Sequence, residues 1–240
     1  MIEVPPAAVA AFFAPERPGP IVHAHIAATG IGRCRADHRT APRTALAEVT
    51  GNLACRGEPA VVTDLRGFVE APPEWLPALR EVDPDTAVWE RVVAVLPDSA
   101  EPPAPARAAR RLGAADAAAL GGIEPSIAWI HSTWGGPAAL AASGYAWAAW
   151  EDDRVVSVAC SFLVGRAHED IGVVTDPAHR GRGLSTACAA ALIADIRSRG
   201  RRASWTTSPD NAGSRAVAAR LGFRHVRDDV LYAVHTPIPV

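Results

Sequence analysis

Apolar and polar positions punctuate the second half of the chain clearly enough to give an element order. Asp116 to Ser132 suits one or two helices broken by Gly121-Gly122 and Pro125, and Pro137 to Ser143 suits a short helix stopped by Gly144. Tyr145 to Trp150 and Val155 to Val164 are strand-length runs, and the polar Glu151-Asp152-Asp153-Arg154 between them predicts a hairpin. A third strand, Asp170 to Thr175, stops at Asp176-Pro177. Leu184, Cys188, Leu192 and Ile196 recur every four residues, which predicts a helix to about Ser198 with one apolar stripe. A strand from Ala203 to Thr207 leads into Ser208-Pro209-Asp210-Asn211, residue types that start helices. The helix after it carries Val217 and Leu221 on one face and closes at Gly222, and Arg224 to Val234 is strand-like. The predicted order is β-β-β-α-β-α-β.

The first half alternates less regularly. Val61 to Leu65 and Val92 to Leu96 are β-branched runs that predict strands, while Pro42 to Leu53 and Trp75 to Val82 are compatible with helix. Between the halves, Leu96 to Pro105 holds four prolines and two acids, which disfavour helix and central strand alike. The expected organisation is a smaller α/β N-terminal region over 1–96, a proline-rich linker over 97–105 and a mixed-sheet domain over 106–240.

Composition narrows the class. With 49% hydrophobic and 21% charged residues in 240, the chain can bury a core without disulfides or metal, which excludes wholesale disorder. A net charge of -2 removes the broad basic field that non-specific nucleic-acid binding needs. No stretch approaches the roughly 20 apolar residues of a membrane span, and the N-terminus lacks a basic segment followed by a long apolar one. The expectation is a cytoplasmic protein, monomer or homodimer, with no nucleic-acid or membrane partner. Cys34, Cys55, Cys160 and Cys188 form no C-x-x-C pair and are expected to be buried thiols.

The segment that carries chemistry is His179-Arg180-Gly181-Arg182-Gly183-Leu184-Ser185, a glycine-rich turn that opens into a helix. The first N–H groups of a helix have no partner within it, and its dipole places partial positive charge there. Arg180 and Arg182 add full charges able to fork onto phosphate oxygens. G-x-G-x-x-G and G-K-[ST] are both missing, so the turn is neither a dinucleotide nor a Walker loop. The other reading of such a turn is a solvated basic loop.

The run Ile171 to Ser185 resembles the acyl-CoA-binding motif of the GNAT N-acetyltransferase superfamily, a strand, a turn of pattern [QR]-x-x-G-x-[GA] and a helix. Arg180 and Gly183 match, and Ser185 replaces the final small residue. Asn211, Ser214 and Leu221-Gly222-Phe223 resemble the second signature of the family. Trp134-Gly135, Val156 to Cys160, Asp170-Ile171-Gly172, Ser204-Trp205 and Tyr232 are similar to a subgroup that includes zwittermicin-resistance-type acetyltransferases, whose catalytic domain follows an α/β region.

The resemblance implies acetyl transfer from acetyl-CoA to an amine, without a metal. Pantetheine would pair with Val173, Val174 and Thr175, and Asn211 and Ser214 would lie near it. Pyrophosphate would sit on Gly181, Arg182, Gly183, Leu184, Ser185 and Thr186, beside Arg180. A backbone N–H of Val173 or Val174 would face the thioester carbonyl. The amine must lose a proton, and Asp170 and Glu169 are the candidate bases; adjacent strand residues face opposite sides, so only one can enter the cleft. Both could instead be surface acids at a hairpin end. Family members often place a tyrosine five residues before the Gly-Phe turn as acid to the leaving thiolate, where this chain has Ala218. Ser214, Tyr232 or water would then replace it. The expected acceptor is a small-molecule primary amine, with a protein or peptide amine, or a non-catalytic acyl-CoA-binding module, as alternatives. The N-terminal region is expected to wall the acceptor side.

Overall fold

The computed structural model describes residues 1–103 and 107–239; positions 104 and 105 of the proline-rich stretch, and 106, lie outside the described residues. The first half contributes β1 (Ile2–Val4), β2 (Arg33–Ala36), β3 (Thr44–Val49), β4 (Asn52–Gly57), β5 (Gly67–Glu70) and β6 (Ala87–Val95), with α1 (Val22–Thr29) and α2 (Leu76–Val82). The second contributes β7 (Arg110–Arg111), β8 (Ala146–Glu151), β9 (Arg154–Val164), β10 (His168–Thr175), β11 (Arg202–Thr207) and β12 (Arg224–Val234). Its helices are α3 (Ala117–Gly121), α4 (Pro137–Ser143), α5 (Leu184–Ser198) and α6 (Ala212–Leu221), and Pro125–Trp134 forms a 3-10 run.

All twelve strands join one mixed sheet in the order β1-β2-β3-β4-β5-β12-β6-β11-β10-β9-β8-β7. Among the described residues only β4 with β5 and β10 with β11 run parallel. The pairing pattern therefore reads the same from either edge: antiparallel strands, one parallel pair, then the last strand of the opposite half. β6 is hydrogen-bonded between β11 and β12, and β12 between β6 and β5. The proline-rich stretch accordingly does not divide the sheet, because the strand just before it lies among those of the second half.

Two further contacts fasten the halves. Fully buried His25 accepts from the Val164 N–H at Nδ1 (3.1 Å), which leaves Nε2 to donate to Thr133 O (3.0 Å). Burial pushes its pKa down and keeps the ring neutral, as this tautomer requires. The Glu16 carboxylate accepts the N–H groups of Arg166, Ala167 and His168 at 2.7 to 2.9 Å and so closes the β9–β10 turn.

Alternation in β10 decides which residues see which layer. Ile171 and Val173 pack with α5 and α6 against Leu192, Trp205 and Leu221, whereas Val174 joins Ile127 and Ile130 of the 3-10 run on the opposite face. A one-residue slip between β9 and β10 at Asp170/Ile171 leaves Phe162 as the extra residue of a bulge.

The first half departs from its expected elements. Pro42 to Leu53 is no helix but the start of a hairpin, β3 turning into β4 through Thr50 and Gly51 at φ 34° and 73°. Ala45, Leu46 and Ala47 are all fully buried, so both faces are covered and no alternation marks the strand. Val61 to Leu65 forms no strand; Val62 and Leu65 are anchored in the N-terminal core while Val61 is exposed. Asp116 to Ser132 yields only the short α3 and the 3-10 run rather than full helices. The four cysteines are free and buried, with burial pushing the Cys55 and Cys188 thiols up to about 12. Among the described residues no helix is long and apolar enough to cross a membrane.

Candidate active site

β10 and β11 pair only from His168 to Asp170 against Arg202 to Ser204, after which they diverge. The opened edge has a fixed phase. The Asp176 N–H donates to Val156 O (2.9 Å), so the N–H groups of Gly172 and Val174 point to β9, while that of Ile171 closes the ladder to β11 and those of Val173 and Thr175 point into the wedge. Of the two expected oxyanion donors, Val173 is thus the one with its N–H free. The counterpart wedge between β4 and β5 is filled: Arg56 pairs with Glu70 at 2.5 Å, Trp75 Nε1 donates to Gly57 O at 3.3 Å, and no helix follows β4.

The wedge opens onto the start of α5. Gly181 and Gly183 sit at φ +75° and +79° with open space where a Cβ would be, the turn geometry that glycine supplies without strain. The Ala187 N–H is the first to bond back, to Gly183 O (3.1 Å), leaving the N–H groups of Leu184, Ser185 and Thr186 without helical acceptors. Ser185 does not project freely. Its hydroxyl meets Thr175 Oγ1 (2.6 Å), which meets Ser157 Oγ (2.8 Å), so a hydroxyl chain pins the helix start to the end of β10. Thr186 is buried and accepts from Arg220 (3.4 Å), and Leu184 enters the apolar core. The two arginines differ. Arg182 forks onto Glu151 at 2.5 and 2.8 Å, whereas Arg180 is exposed and has no ion-pair partner among the described residues.

Asp170 and Glu169 face opposite sides. Glu169 is fully buried and locked by the Arg199 fork (2.8 Å to each oxygen), by Arg201 (3.0 Å) and by the Ser161 hydroxyl, an arrangement that holds a carboxylate in place and offers it to nothing else. Asp170 lies at the root of the wedge. Its Oδ1 accepts from Ser204 Oγ (2.7 Å) and Thr206 Oγ1 (3.1 Å). Burial pushes its pKa up; those two hydroxyls and the charges of Arg91 and Arg227 act against the rise. A proton acceptor of raised pKa beside an open strand edge is suited to take a proton from an amine.

Other expected site residues are placed elsewhere. Tyr232 packs with Leu46, Leu53 and Leu79 in the N-terminal core, on β12, three strands and roughly 14 Å from β10. Ser214 Oγ accepts from Trp205 Nε1 (2.9 Å), and Trp205 is a core residue edge-on to Phe223. Asn211 caps α6 by accepting the Ser214 N–H (2.9 Å). Ala218 lies on the buried face of α6, in the core with Leu221 and Phe223. Residues not anticipated are Gly19, whose N–H donates to Ser204 Oγ (3.3 Å), and Arg91, whose guanidinium donates to Thr206 O (3.2 Å). Neither has a local motif: strand register places Arg91, and the loop before α1 brings Gly19 in.

Residues 119–232 match the GNAT acetyltransferase family model. An uncharacterized N-acetyltransferase in the mutA 5' region of Streptomyces virginiae is 39% identical over 212 residues, covering 83% of this chain and 90% of that protein. A GCN5-related N-acetyltransferase-like protein of Streptococcus suis has a similar fold, with a TM-score of 0.73 at 20% identity over 95% of this chain and 97% of that one. A tandem GNAT protein from the clavulanic acid biosynthesis pathway also superposes, with a TM-score of 0.56 at 16% identity over 98% and 94%. The wedge, the glycine turn at a helix start and these likenesses agree, and the chain belongs to the GNAT N-acetyltransferase family.

Proposed function

We propose that this protein moves the acetyl group of acetyl-CoA to the primary amine of a small molecule. The observation that carries the reading is the divergence of β10 from β11 directly above a glycine turn with free helix N–H groups, with Asp170 at its root. The residues suit the donor: exposed Arg180 and the N–H groups of 184–186 offer positive charge for a pyrophosphate, and the Val173–Thr175 edge offers unpaired peptide groups for a pantetheine amide. Bound there, acetyl-CoA supplies an activated acyl thioester. The Val173 N–H, free at the open edge, would stabilise the carbonyl oxygen of a thioester bound there, where negative charge develops as an amine attacks. Asp170 removes the amine proton, so that the nitrogen lone pair forms the new C–N bond while the C–S bond breaks. With Tyr232 packed in the N-terminal core, the thiolate leaves without a tyrosine acid, which a thiol pKa near 8.5 allows. The N-terminal half supplies Gly19 and β6 to the acceptor side of this wedge.

Calorimetry with CoA tests the donor site. Arg180→Glu and Gly183→Val should each weaken binding at least about tenfold while leaving the circular dichroism spectrum unchanged. Unchanged affinity in both would sink the assignment. Thiol release from acetyl-CoA across a panel of small amines tests the transfer, and tight CoA binding with no acetylated product would favour a non-catalytic module.

A further inference from the structure

Arg91 extends from β6 across the face of the sheet that carries Asp170. Other largely buried arginines meet carboxylates: Arg35 meets Asp64, Arg56 meets Glu70, Arg199 meets Glu169 and Arg227 meets Asp229. Arg91 forms no ion pair among the described residues. One terminal nitrogen donates to Thr206 O (3.2 Å), Nε is buried without an acceptor, and the guanidinium lies 4.0 Å over the Trp89 ring. Burial brings its pKa down to about 10 even though Asp170 and Asp210 act to raise it. A partly buried cation with its Nε cut off from water and no counter-ion in contact is costly unless a ligand completes it.

The same residue that holds Arg91 also holds Asp170. Thr206 receives the guanidinium on its carbonyl and donates its hydroxyl to Asp170 Oδ1 (3.1 Å), so the cation and the proton acceptor lie no more than about 10 Å apart. A ligand that satisfies both is an amine with an anion a few bonds away. One uncompensated positive charge, beside Asp170 and near Asp210, suits a monoanion better than a dianionic phosphate, and the planar fork of arginine matches a carboxylate.

We propose that Arg91 binds the carboxylate of the acceptor, so that the amine acetylated is that of an amino acid or of a small molecule that retains an amino-acid head. The proposal rests on the acetyl-transfer reading, with Arg91 as the residue that sets acceptor specificity. Its test uses amino acids paired with their decarboxylated amines, and reads two quantities in wild type, Arg91→Gln and Arg91→Lys. The first is calorimetric affinity for the CoA-saturated protein, and the second is kcat/KM with acetyl-CoA. Wild type should favour the carboxylated member of at least one pair tenfold or more, Arg91→Gln should bring that ratio close to one, and Arg91→Lys should keep part of it. Wild type without preference, or Arg91→Gln lowering both members of a pair alike, would overturn the proposal. A preference in binding with no product from any pair would leave Arg91 in its role and remove acetyl transfer; product without preference would do the reverse. Melting temperatures of both variants check the fold, and Arg91→Lys keeps the test decisive if the glutamine variant fails to fold.

Discussion

A carboxylate buried at the root of an open strand wedge costs stability when ionised, and Asp170 is held there by only two hydroxyl donors. Because burial raises its folded pKa, the folded state binds the proton more tightly than the unfolded chain does. Stability from this group is therefore greatest at low pH and declines as pH rises from the unfolded carboxylate range through the folded value. Asp170→Asn keeps both hydroxyl contacts and removes the charge. It should lower kcat by about 10² to 10⁴ and abolish the acid limb of the pH profile, with melting temperature at pH 7 equal to or above wild type. Glu169→Gln should do the opposite, since it strips the counter-charge from Arg199 and Arg201 and so loses stability first. Glu16 works in the other direction from Asp170. Burial alone would raise its pKa, but the nearby His168 ring (Nδ1 at 3.5 Å) and hydrogen bonds from the N–H groups of 166–168 outweigh this and bring it from 4.5 down to about 2. It stabilises the fold above pH 4.5, and that contribution fades as pH falls toward 2. Glu16→Gln should cost on the order of 2–3 kcal/mol at pH 7 and flatten the dependence of denaturation midpoint on pH across that acidic window.

The wedge is a property of a strand pair, and its phase can be measured. Amide hydrogen exchange resolved by NMR should show Val173 and Thr175 exchanging fast in the free protein and slowing when CoA is added, while Val174, bonded to β9, stays slow throughout. Fast exchange at Val174 with protection at Val173 before ligand would reverse the assigned phase. Elements with their own local signal were legible in the sequence. α5 runs from Leu184 to Ser198 as its four-residue stripe and glycine start predict, and β8 to β12 fall within a few residues of their expected spans. β3 was not legible, because Ala45-Leu46-Ala47 is covered on both faces and its alanines carry helix propensity, leaving Thr50-Gly51 as the only turn signal. The site divides in the same way. The phosphate turn is contiguous and readable, whereas Ser204 and Thr206 reach Asp170 from 34 and 36 positions away, through register that one sequence does not display.

At the scale of the whole molecule, the exchanged strands make the two halves mutually dependent. β6 supplies the inner neighbour of both β11 and β12, so a chain without the first half would leave both with unpaired edges and would expose Ala203, Trp205 and Phe223 around the lost Leu96. β12, conversely, covers β5 and buries Tyr232 and Val234 in the N-terminal core, so the first half alone would expose Leu46, Leu53 and Val69. Burial of that apolar surface is worth several kcal/mol on each side, comparable to the whole stability of a domain of this size. The fragment 107–240 should therefore be insoluble or unfolded by circular dichroism, as should 1–103. Co-expressed, the two should assemble through the same strand exchange into a complex that co-purifies, melts cooperatively and binds CoA. The cut is flanked by the exposed residues Pro103 and Arg107, which is why complementation should succeed there. A soluble 107–240 fragment that bound CoA with wild-type affinity would show the second half to be self-sufficient, and the shared sheet to be an accessory to the site instead of its frame.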